Sequence, residues 1–105
     1  MPARRADDTS YALLVNGSAT GNGVVIRGGE YMIYFDGILN GATISLQTLS
    51  PSGQWMTVEA FTGSAISYSN TPRSQTGIDL PAGQARCALN GGSPSGINAY
   101  LVGLG

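Results

Sequence analysis

Nowhere in this chain do apolar residues recur at i, i+3, i+4 and i+7 over three helical turns. That absence constrains the fold more than any single motif does. The apolar residues come instead in short runs, closed off by glycine, asparagine or proline. Sixteen of the 105 residues are glycine, which weakens helix and strand interiors and suits turns. Strands are expected over 11–15, 23–27, 30–35, 42–49, 55–61, 65–68, 77–80, 84–89 and 98–102.

The side-chain pattern inside these runs gives their orientation. Over 42–49, Ala42, Ile44 and Leu46 alternate with Thr43, Ser45 and Gln47. A period of two belongs to a strand with one wet face. Residues 84–89 repeat it, with Ala85, Cys87 and Leu89 inward and Gln84, Arg86 and Ala88 outward. Residues 30–35 differ, because Tyr31, Ile33 and Phe35 oppose Met32 and Tyr34. With two apolar faces, this strand is expected to be covered on both sides, the second cover being another subunit.

Turn chemistry separates the runs. Ser50-Pro51-Ser52-Gly53 reads as a hairpin connection. Asp36-Gly37 and Asn40-Gly41 bracket a short link, Pro81-Ala82-Gly83 follows the run ending at Leu80, and 90–96 is a glycine-rich loop. Short strands at this spacing predict an all-β fold, an antiparallel β-sandwich of jelly-roll-like type. The length suits one domain, here expected over 11–105. Residues 1–10 are expected to form an extended N-terminal arm, because four of the eleven charges fall within the first eight residues.

Composition removes many functions. There is no histidine and no lysine, and charged residues make up 10% against a usual share of about 25%. Without histidine there is no Ser-His or Cys-His nucleophile pair and no imidazole metal site. The net charge of −1 lacks the basic face that nucleic acid requires and offers nothing to an anionic membrane. No apolar run approaches the length of a bilayer span, and the opening residues, with no apolar stretch behind Arg4 and Arg5, are not expected to act as a secretory signal. Synthesis in a cytoplasm is expected.

Candidate chemistry is sparse. Gly21-Asn22-Gly23 precedes β-branched residues, a poor helix opening for a dinucleotide fingerprint, and reads as a turn. Glu30, Asp36, Glu59 and Asp79 are the acids beyond the arm, and a carboxylate enzyme would need two of them in one cleft. Cys87 has no visible base and reads as a small core residue. Trp55 with Tyr11, Tyr31, Tyr34, Tyr68 and Tyr100 allows a stacking platform for sugars, although aromatics on strands more often serve core or interface. No enzyme activity, cofactor or metal is expected. A surface this poor in charge favours association.

Four segments carry a family resemblance: Gly-Ala-Thr-Ile-Ser-Leu-Gln over 41–47, Pro-Ser-Gly-Gln-Trp over 51–55, Leu-Pro-Ala-Gly-Gln-Ala-Arg over 80–86 and Gly-Gly-Ser-Pro-Ser-Gly over 91–96. With them, residues 29–104 resemble the small β-sandwich structural proteins of tailed bacteriophages: head decoration, capsid cement and head-fibre-base proteins. The resemblance implies a capsid decoration (cement) protein on the outside of the virion. It would bind the major capsid protein as a homotrimer at three-fold or quasi-three-fold positions and stabilise the head. A carbohydrate-binding or fibre-associated virion module is the alternative. The expected contacts with capsid or sister subunits are Arg4, Arg5, Asp7 and Asp8 in the arm and Tyr11, Tyr31, Tyr34 and Trp55 as aromatic anchors.

Overall fold

The computed structural model describes residues 10–60 and 63–103. They form nine strands and no helix: β1 Ser10–Gly17, β2 Val24–Ile26, β3 Gly29–Ile38, β4 Thr43–Leu49, β5 Trp55–Thr57, β6 Ser67–Tyr68, β7 Arg73–Leu80, β8 Gly83–Asn90 and β9 Ser95–Gly103. Two antiparallel sheets face each other as a sandwich. One has the order β1-β9-β3-β7, the other β2-β8-β4-β5 with β6 also on β4. The chain passes from one sheet to the other at six of the eight links between these strands. As a result β1 pairs with β9, β2 with β8 and β3 with β7.

Period-two patterning decides what lies between the sheets. Tyr31, Ile33 and Phe35 of β3 and Ile97, Ala99 and Leu101 of β9 point inward from the four-stranded sheet. Ile44 and Leu46 of β4 and Ala85 and Cys87 of β8 meet them from the other. Burying one such large apolar side chain stabilises by about 1.5–3 kcal/mol. Leu39, Ala42, Ala60 and Ile66 close the core from the links.

Several strand boundaries depart from expectation, and the largest departures are at β7 and β5. Strand β7 begins at Arg73 rather than at 77. Its first residues, Arg-Ser-Gln-Thr, are polar because β7 is a sheet edge, so alternation of apolar residues could not mark them. Gly77, at φ +75°, takes up the register shift between Tyr31 and Ile33 on β3, the role of a glycine in a β-bulge. Strand β5 is short, ending at Thr57. A lone bridge between Glu59 and Ala65 follows it.

The crossover from β2 to β3 is held by two tyrosines. Arg27 lies in it, and its backbone N–H donates to the Tyr11 hydroxyl at 3.1 Å. The Tyr31 hydroxyl donates in turn to the Arg27 carbonyl. The two rings lie 6.1 Å apart at 57°, a tilted contact of the kind aromatic pairs favour. Both polar groups of a residue that leaves one sheet for the other are thereby satisfied.

Candidate functional site

The outward face of the four-stranded sheet carries an apolar centre. Met32 of β3 stands opposite Val102 of β9, and Tyr34 opposite Tyr100. On the edge strand, Ala12 stands opposite Tyr100. Tyr34 is 42% exposed and Ile38, further along β3, is 64% exposed. Strand 30–35 does have two apolar faces, but this chain covers one of them. The face turned away from the core has no second layer among the described residues.

Carboxylates mark both ends of that face. Glu30 and Asp79 are direct cross-strand partners on β3 and β7, and both are exposed. At the other end Asn98 of β9 donates through Nδ2 to Asp36 Oδ1 at 2.7 Å. The same Asn98 accepts the Asn16 N–H on its Oδ1 at 2.9 Å. Of the acids considered for paired-carboxylate chemistry, the register thus brings Glu30 and Asp79 together, on an open sheet face. Glu59 is exposed and lies just after β5, in the bridge with Ala65. The described residues form no cleft or enclosed cavity.

The three tyrosines among the expected aromatic anchors are in three different situations. Tyr34 is on the outward face, as an anchor must be. Tyr31 is a correction: it is fully buried, because it shares the inward parity of Ile33 and Phe35, and a side chain inside the core cannot meet a partner. Tyr11 is half-buried against the same core, with its hydroxyl engaged by Arg27. Arg4, Arg5, Asp7 and Asp8 lie outside the described residues. So does most of the expected 1–10 arm, while Ser10 already belongs to β1.

Trp55 sits on the outer side of the other sheet. The Arg86 guanidinium lies 4.4 Å over its ring, and Arg86 Nε donates to Gln47 Oε1 at 2.8 Å. Gln47 and Arg86 are direct cross-strand neighbours, so the register builds this stack. One face of the indole is therefore already occupied, and Trp55 and Tyr34 lie on different sheets, so the two do not form a shared stacking platform.

Cys87 is buried in the core, and removal from water pushes its thiol up to about 12. A thiol held protonated is a poor nucleophile. Among the described residues, no three of His, Cys, Asp and Glu come together as metal ligands, and no helix is long and apolar enough to cross a membrane.

Sequence reasoning placed Met32 and Tyr34 on one face of their strand but did not join Tyr100 and Val102 to them. The signal was present in part, since alternation over 98–102 sets Asn98, Tyr100 and Val102 on one face. What was missing was that β9 lies between β1 and β3, which makes one continuous patch of these side chains. No protein-family model, curated protein or solved structure matches the chain.

Proposed function

We propose that this chain is a non-enzymatic virion protein that decorates the outside of a bacteriophage capsid, binding the major capsid protein and stabilising the head as a homotrimer. The observation that carries the reading is the uncovered apolar centre formed by Met32, Tyr34, Tyr100 and Val102 on the outward face of the four-stranded sheet. A rigid sandwich with one uncovered apolar face suits a protein whose work is to bury area between others. The nested pairing of first with last, second with eighth and third with seventh strand supports the jelly-roll reading, an architecture shared by viral capsid domains. The sequence motifs over 41–47, 51–55, 80–86 and 91–96 support the family.

A glue protein of this kind requires shape, apolar contact and hydrogen bonding rather than bond chemistry. Internal pressure from packaged DNA pulls capsid subunits apart, and added contact at three-fold positions opposes it. The carbohydrate-binding alternative draws less support, because Trp55 and the exposed Tyr34 lie on different sheets and are not clustered.

The test is imaging of the parent particle at side-chain resolution, combined with co-sedimentation of the purified chain with shells that lack it. Ordered density for the sandwich on the outer capsid surface, with saturable co-sedimentation, is the expected result. A chain absent from the particle, or one that leaves the shells in the supernatant, overturns the reading.

A further inference from the structure

The outward strand positions of the four-stranded sheet hold three carboxylates, Glu30, Asp36 and Asp79, and no arginine. Glu30 stands directly opposite Asp79, an arrangement that works against strand pairing because like charges are held side by side. Asp36 lies further along β3, fixed by Asn98. None of the described arginines occupies an outward position on a strand of that sheet. Arg73 lies 4.1 Å over the Tyr68 ring and donates to Asn70. Arg86 belongs to the other sheet, and Arg27 lies in the link before β3.

An apolar centre with carboxylates at its ends discriminates between partners. Phosphate-rich surfaces, whether nucleic acid or anionic lipid, are repelled. A second copy laid face to face would double the like charges in one interface, and like-charge juxtaposition costs several kcal/mol. A protein surface with an apolar ridge bordered by arginine or lysine gains on both counts. It covers Met32, Tyr34, Tyr100 and Val102, and it gives Glu30 and Asp79 charge-assisted hydrogen bonds.

We propose that this outward face is the docking surface, and that its partner is a protein surface bearing an apolar ridge flanked by arginine or lysine, selected by the Glu30–Asp79 pair. The proposal rests on the decoration reading. It adds which side of the sandwich meets the shell and the chemistry that the shell presents there.

The experiment uses the isotope-labelled full chain and two short synthetic peptides. One alternates valine with arginine, the other valine with glutamate. The arginine peptide is expected to shift the backbone amide resonances of β3 and β9, with affinity that falls as salt is raised. The double variant Glu30→Gln, Asp79→Asn is expected to weaken that binding about five- to tenfold. It removes a like-charge opposition, so it keeps the fold, and the same spectra check this. Equal binding of the glutamate peptide, shifts centred on β4 and β8, an unaffected double variant, or no shift with either peptide at millimolar concentration overturns the proposal.

Shells separate this from the decoration reading. Peptide binding together with failure to bind shells sinks the decoration role and leaves the surface standing. Shell binding that the double variant retains in full sinks the surface and leaves the decoration role.

Discussion

The Tyr31 hydroxyl donates a hydrogen bond to the backbone carbonyl of Arg27, four residues earlier, at the point where the chain leaves one sheet and enters the other. The ring that carries it is fully buried. Replacing Tyr31 with Phe keeps the ring and strands the carbonyl. The expected cost is about 1 kcal/mol, or a fall in melting temperature of roughly 4–8 °C for a domain of this size. Calorimetry or a urea titration measures it. An unchanged midpoint would mean that water replaces the hydroxyl and that the tyrosine clamp adds nothing to stability.

Arg86 and Trp55 form the second testable contact. Arg86→Ala removes the cation from the indole face and the donor from Gln47, on a partly exposed sheet surface. The expected destabilisation is about 1 kcal/mol. The chain contains a single tryptophan, so its fluorescence reports on the stack directly. Acrylamide should quench Trp55 more efficiently in the variant, and equal quenching would show that Arg86 does not shield the ring in solution.

The buried thiol gives a pH dependence with a definite sign. Burial pushes Cys87 from an ordinary value of 9.0 up to about 12. Between these values the folded chain keeps a proton that the unfolded chain has lost, so unfolding stability decreases as pH rises. This contribution is fully present below pH 9.0, falls above it and levels off near pH 12. Denaturant titrations of the wild type and Cys87→Ala across this window isolate it, because the variant lacks this slope. An alkylating reagent at mildly alkaline pH should leave the native thiol unmodified and label it after denaturation.

Gly92 tests the loop between β8 and β9. It has φ +57°, in the left-handed region, and a Cβ there would collide with the Ala42 amide nitrogen and lie 2.5 Å from the Gly41 carbonyl carbon. These are backbone atoms, which cannot swing aside as a side chain would. Gly92→Ala is expected to cost roughly 2 kcal/mol or more through combined strain and displacement. By contrast, Gly53→Ala meets nothing within 4 Å and has only its φ of +90° against it, so it should cost less. Equal midpoints for the two variants would mean that crowding at Gly92 is relieved by a small loop shift.

Much of the architecture was legible because alternation is a local property of an extended chain. The inward parity of Ala42, Ile44 and Leu46, and of Ala85 and Cys87, follows from side chains pointing to opposite sides at successive residues, and each of these residues is buried. The start of β7 was not legible. Arg73, Ser74 and Gln75 gain their strand geometry from pairing with β3, and an edge strand with polar side chains carries no hydrophobic signal of its own.

The candidate surface shows the same division. The sequence by itself determined that 30–35 has two apolar faces, that the chain is built from short antiparallel strands, and that few charges clothe it. Only the tertiary structure decided that Tyr31 lies inside while Tyr34 lies outside, that Glu30 meets Asp79, and that Tyr100 and Val102 extend the patch of Met32 and Tyr34. The physical reason is range. Period-two patterning is written in neighbouring residues, whereas sheet order and register come from pairings between segments far apart in the chain, such as β3 with β9, chosen by the joint burial of a core that no single strand can enclose.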